Sequence, residues 1–187
     1  MHMNILMHIC CGPCACYCLK SLREKGHQVT GYWYNHNIHP YQEYRKRLES
    51  LMYFANEAQM PLIIDDDYDI EGFIKNMIDG DTEMPDRCIP CYDTRLYKTA
   101  KRAKDDGFDA FTTTLLYSKY QQHKNIRQIG EKYAAQFNLE FYYEDFRKGW
   151  REGIEMSKKL GLYRQQYCGC IFSEMDRYMP EASFEEL

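Results

Sequence analysis

The sequence has no apolar run long enough to span a bilayer: MHMNILMHICCGPC at the N-terminus breaks at His8 and again at Gly12 and Pro13. Neither a spanning helix nor a signal peptide is expected there, so the expected compartment is the cytoplasm, with no membrane partner. A basic excess is missing too. With 24 Lys and Arg against 28 Asp and Glu, the net charge is −4, so global charge does not announce a nucleic-acid partner. There is no internal repeat, low-complexity stretch or linker. The nine cysteines lack an even count, and any fully bridged scheme would strand one thiol. In a reducing compartment this argues against structural disulfides and for metal binding or thiol redox chemistry.

With 187 residues, 44% of them hydrophobic, the chain can bury one substantial core, and residues 1–187 read as a single domain. Asn4 to Ile9, Gln28 to Tyr34, Leu62 to Ile64, Phe108 to Thr113 and Leu139 to Tyr143 read as strands from their apolar, β-branched and aromatic content. Between them, Pro13 to Lys25, Tyr41 to Gln59, Ile70 to Ile78, Cys88 to Lys104 and Asn125 to Phe137 read as helices. A last helix near Gly149 to Leu160 leads into an irregular segment from about 161. Crossovers long enough to hold helices predict a doubly wound α/β fold on a mainly parallel, five-stranded sheet.

Such sheets bind ligands beyond the carboxyl ends of their strands. The segments following the strands are CCGPC, NHNIHP, DDDYD, TTTLLYS and EDFRKG, each rich in groups that coordinate, donate or accept. One shared site at that edge is expected. Cys10 and Cys11 end the first strand, and Cys14 falls in the first turn of the next helix, where the dipole and free N–H groups favour thiolates. Cys16 and Cys18, deeper in that helix, read as small hydrophobes in packing. Cys88 and Cys91 form a C-x-x-C at the start of a later helix. With Cys10 and Cys11 they make four thiolates, suited to tetrahedral zinc or to a [4Fe–4S] cluster, and residue chemistry leaves that choice open. Cys168-Gly169-Cys170 can close only a small, constrained disulfide ring, which favours a labile redox pair; the alternative is two further metal ligands.

In combination, HICCGPC ending at Cys14, RCIPCYDTRL from Arg87, TTTLL from Thr112, DFRKG from Asp145 and YRQQYCGCIFS from Tyr163 resemble the QueH type of epoxyqueuosine reductase. The resemblance runs from the first strand to about Ser173. It implies the last step of queuosine biosynthesis, the two-electron deoxygenation of epoxyqueuosine to queuosine at the wobble position of a tRNA anticodon. It also implies a sheet related to adenine-nucleotide α-hydrolases, a [4Fe–4S] cluster on Cys10, Cys11, Cys88 and Cys91, and a redox-active pair at Cys168 and Cys170. A second, mononuclear iron beside the cluster is suggested, with Cys14 and Asp145 as candidate ligands; capping the following turn is the alternative role for Asp145. Two departures fall in loops that shape the pocket: His36 in NHNIHP and Lys119 in SKYQ stand where the family is expected to have proline.

Reducing an epoxide to an alkene consumes two electrons and two protons. A metal with an open position can bind the leaving oxygen as a Lewis acid while a cluster passes electrons singly. Cys168 and Cys170 would supply or relay the pair and finish as a disulfide, reset by an external electron donor. Proton-donor candidates are His8, His36 and Tyr167. For the tRNA, Arg95, Lys98, Lys119, Lys124 and Arg147 are candidate phosphate contacts, and Tyr117, Tyr120 and Tyr163 candidate stacking platforms. Two other classes compete. A tRNA-modifying enzyme of the ATP-pyrophosphatase type would want a Gly/Ser-rich phosphate loop, and CCGPC sets a single Gly among bulky thiols. A zinc-stabilised RNA-binding module would make the Cys-Gly-Cys pair incidental.

Overall fold

A computed structural model describes residues 2–78 and 87–179; the acidic tail EASFEEL lies outside them. Strands β1 (Asn4–His8), β2 (Gln28–Trp33), β3 (Leu62–Ile64), β4 (Ala110–Thr113) and β5 (Glu140–Phe141) form one sheet in the order β3-β2-β1-β4-β5. Every neighbouring pair is parallel, with Ile5 opposite both Val29 and Ala110. The central strand β1 is apolar on both sides, and Ile5, Leu6 and Met7 are fully buried, as a strand covered on both faces requires. β4 begins two residues later than its apolar run suggests, and β5 is trimmed at both ends to Glu140–Phe141.

Helices α1 (Gly12–Glu24), α2 (Tyr41–Glu57), α3 (Ile70–Ile78), α4 (Cys88–Asp105), α5 (His123–Phe137) and α6 (Trp150–Lys159) complete the layers. α1 packs against α2 and α6, and α4 against α5. The winding reverses between β1 and β4, and the crevice beyond their carboxyl ends is where such a fold accepts ligands. α1 and α4 run back along the sheet, so both begin at that edge and deliver Cys11 to Cys14 and Cys88 to Cys91 there. Pro13 sits in the first turn of α1, where its missing N–H costs no hydrogen bond.

The segment from about 161 is irregular only as far as Cys170; Ile171–Tyr178 then forms a further helix, α7. Its start is local chemistry that the cysteine content obscures, since the Cys170 side chain itself caps the helix by accepting from the Ser173 N–H at 3.4 Å.

The packing of β1 is testable. Ile5→Val removes one methylene from a site with no exposure and is expected to cost about 0.5–1.5 kcal/mol. In urea this appears as a lower midpoint with an unchanged slope; an unmoved midpoint would contradict close packing at the centre of the sheet.

Candidate metal and redox centre

The Sγ atoms of Cys10, Cys11 and Cys14 lie within 4.8 Å of one another, the one metal-competent group of three or more His, Cys, Asp or Glu side chains among the described residues. Cys10 and Cys11 sulfurs are 3.9 Å apart. Backbone geometry explains the gathering: Cys11 is the N-cap of α1 and Cys14 its third residue, the spacing at which capping-box side chains meet. Thr114, just past β4, accepts from the Cys10 N–H at 3.2 Å and donates to its sulfur at 3.5 Å, tying β1 to β4 at the switch point. The neighbouring Cys11 and Cys14 thiols hold the Cys10 thiol well below its ordinary value. In return, burial pushes the Cys11 thiol up, and the hydrogen bond with Cys10 does the same to Cys14. One proton-poor sulfur beside two donors is an arrangement a metal ion would displace, releasing protons as it binds. Cys16 and Cys18 are buried in packing, as expected, and the Cys16 thiol donates to the Gly12 carbonyl.

A second thiol group forms around a cavity lined by Cys88, Cys91, Cys168 and Cys170 together with Arg95 and Gln121. Arg95 is 1% exposed. Its Nη2 donates to Cys91 Sγ at 3.0 Å and its Nε to the Cys91 carbonyl at 3.1 Å, and its charge also reaches Cys10 and Cys168. Among the described residues no carboxylate pairs with it. A buried guanidinium needs a counter-charge. Here only thiolates can supply one. Burial nevertheless pushes the Cys91 thiol up to about 12 and raises Cys88 as well, so these sulfurs keep their protons until something replaces them.

The Cys-Gly-Cys segment is held in place by residues that belong to none of the motifs. Arg47, also 1% exposed, donates to the Cys168 carbonyl at 2.7 Å and the Tyr167 carbonyl at 3.1 Å, while its Nε pairs with Glu43 at 2.7 Å. Glu43 in turn accepts from the Tyr163 hydroxyl at 2.5 Å. The only sequence trace of this clamp is the i, i+4 spacing of Glu43 and Arg47 on α2. Gly169 has φ of +147° and its carbonyl accepts from the His39 N–H at 2.8 Å; an added Cβ would come within 3.1 Å of Ile38 and 3.2 Å of Arg47. Glycine is thus required by both backbone and space. All cysteines are free thiols, and Cys168 presents area to solvent although its surroundings desolvate the sulfur enough to raise its pKa. Gln121 donates to that sulfur at 3.3 Å.

Other expected participants fall elsewhere. Asp145 caps the 3-10 turn Phe146–Gly149, and its oxygens accept from Arg147 Nε and Nη2 at 2.7 and 2.5 Å, which holds its carboxyl down to about 2. It is not among the gathered ligand atoms, and the geometry expresses its capping role. His8 is spent between Thr113 Oγ1 and the Tyr34 carbonyl. Tyr167 already donates to the His39 carbonyl at 2.7 Å, and burial pushes it up to about 12. Two of the proposed tRNA contacts are corrected: Arg95 and Tyr117 are buried and cannot meet a phosphate or base from outside. Both lie on inward faces, Arg95 one helical turn after Cys91. Tyr163 is half-buried with its hydroxyl committed to Glu43. Lys98 lies half-buried over the Tyr34 ring, Arg147 is tied to Asp145, and Lys119, Lys124 and Tyr120 face outward.

His36 gives the site an acid-sensitive flank. Burial lowers it to about 3, so the folded protein holds it neutral while the unfolded chain protonates it below 6.5. Its contribution to stability is present above pH 6.5 and is lost as pH falls toward 3, at about 1.4 kcal/mol per pH unit. His36→Leu is expected to flatten the acid limb of a urea-midpoint profile between pH 6.5 and 4. An unchanged slope would remove His36 from that balance.

Among the described residues no helix is long and apolar enough to cross a membrane. A family model described as epoxyqueuosine reductase QueH matches residues 5–176. The chain is 37% identical over 181 residues to the epoxyqueuosine reductase QueH of Dehalococcoides mccartyi, covering 95% of this chain and 96% of that one. It is 36% identical over 183 residues to the protein of that name from Histophilus somni, covering 94% and 74%, and 34% identical over 182 residues to that of Thermotoga maritima, covering 93% and 92%. The thiols at the sheet edge fall within the matched span, and the chain belongs to the epoxyqueuosine reductase QueH family.

Proposed function

We propose that this chain is a cytoplasmic oxidoreductase that converts epoxyqueuosine in a tRNA anticodon to queuosine. In this reading Cys10, Cys11, Cys88 and Cys91 hold a [4Fe–4S] cluster, Cys14 offers a ligand to a further iron, and Cys168 and Cys170 are the redox pair. The observation that carries it is the cavity in which Cys168 and Cys170 face Cys88 and Cys91 beside Arg95, a buried cation whose charge also reaches Cys10. The donor set fits such a centre: soft thiols, shielded from water, with a buried positive charge to balance thiolates. The chemistry that an iron–sulfur centre with an open metal position supplies when bound is single-electron transfer and polarisation of an oxygen.

The chain's own residues supply the balance. Epoxide and two thiols become alkene, water and one disulfide: two electrons leave the sulfurs of Cys168 and Cys170, and their two protons end on the departing oxygen. An external reductant returns the pair to dithiol. Arg47 and Gly169 keep the pair at the cavity, and Gln121 orients the Cys168 sulfur through its N–H. Lys119 and Lys124, with the 75% exposed Tyr120, support a tRNA approach on the neighbouring face by phosphate pairing and base stacking.

Anaerobic turnover of epoxyqueuosine-containing tRNA with a low-potential reductant, followed by nucleoside mass, tests the reading. Queuosine should appear, and the purified protein should carry iron and sulfide. Zinc without iron, or no product from iron-loaded protein, would overturn it.

A further inference from the structure

The polar groups lining the thiol cavity are nearly all spent. Gln121 accepts from the Tyr92 hydroxyl at 2.8 Å and donates to Cys168, and Arg95 donates to Cys91. Asn37 is the exception: it is 1% exposed, it lines the same cavity, and its Oδ1 meets no donor among the described residues. A buried acceptor left without a donor lowers stability, so a fold keeps one where a ligand completes it.

We propose that Asn37 binds substrate by accepting a hydrogen bond at Oδ1 from a hydroxyl of the polyol ring that carries the epoxide. The inference rests on the epoxyqueuosine reading and assigns a contact within it. Charge selects the group. Cys168, on the wall of the same cavity, is exposed, so a hydroxyl can reach Asn37 while its ring stays against Cys168. A cation would meet the Arg95 guanidinium, and an anion has no proton to give. A neutral O–H satisfies both neighbours. The loop is also fixed beforehand: Asn35 Nδ2 donates to the Ile9 carbonyl at 2.8 Å, the Ile38 N–H to the Asn35 carbonyl at 3.2 Å, and the His39 N–H to Gly169. A carboxamide on a loop anchored to both the Cys10 and the Cys168 segments holds the hydroxyl, and with it the epoxide, in one register to the thiols.

The test compares wild type with Asn37→Leu and Asn37→Ala, each as the metal-loaded protein. Both variants should lose about tenfold to a hundredfold in kcat/KM for epoxyqueuosine-containing tRNA, carried mainly by KM because the hydroxyl does not react. The near-isosteric Asn37→Leu should melt at the wild-type temperature or above it, since it removes the orphaned acceptor. Unchanged kcat/KM in both variants, or a kinetic loss matched by a lower melting temperature in Asn37→Leu, would overturn the assignment. Absence of turnover in the wild type would instead overturn the activity on which it rests.

Discussion

Serine in place of Cys168 is expected to lower epoxyqueuosine turnover by about 10³-fold or more while iron and sulfide content stay at wild-type levels. The two readouts separate because the residue occupies a distinct place. Cys168 lies on an exposed segment anchored through backbone carbonyls to Arg47 and His39, whereas Cys10, Cys11 and Cys14 are gathered around the start of α1. A hydroxyl keeps the hydrogen bond from Gln121 and the size of the side chain, but it cannot form a disulfide. Activity within a few fold of wild type would remove the thiol pair from the reaction, and loss of iron in step with activity would recast Cys168 as a ligand.

Arg95→Met should act in opposite directions in the metal-free and metal-loaded protein. Without metal, the Cys91 thiol that Arg95 contacts is protonated up to about 12, so the buried guanidinium has no hydrogen-bonded anion and only the more distant charge of Cys10. An unbranched apolar replacement there is expected to be neutral or to stabilise by about 1–4 kcal/mol. With metal the thiols become thiolates, and removing their cation strands buried negative charge at a cost of about 3–5 kcal/mol. Thermal melts of the two forms read this directly. A shift of the same sign in both would mean that Arg95 acts through packing alone.

The sheet was legible because its strands are short apolar runs between long helical spacings, and β1 to β5 and α1 to α6 fall where those patterns put them, within a few residues. The site was legible in its cysteines and much less so in what surrounds them. Cys10, Cys11 and Cys14 stand close in sequence, and the N-cap-to-third-residue spacing is what brings Cys11 and Cys14 together. Arg95 reads as a phosphate contact among neighbouring basic residues; its position four residues after Cys91, on the face that α4 turns inward, is the signal against that. Arg47 and Asn37 carry no motif at all. Their roles come from contacts across more than a hundred residues, Arg47 with Cys168, or from a cavity that only the folded chain encloses. α7 was missed because its cap is a cysteine, a residue that propensity rules do not count among caps.

The long span between the first and last thiols also sets a schedule for biosynthesis. At the usual pace of translation, about 5–20 residues per second, Cys10, Cys11 and Cys14 are synthesised about 8–30 s before Cys168. Until then the cavity lacks the wall that Cys168, Cys170 and Phe172 supply, and the early thiols stand open to oxidants and stray metal. The centre can therefore be loaded before the Cys168 segment closes over it. An assembly factor acting on the nascent chain would find all four proposed cluster ligands, Cys10, Cys11, Cys88 and Cys91, before the redox pair exists.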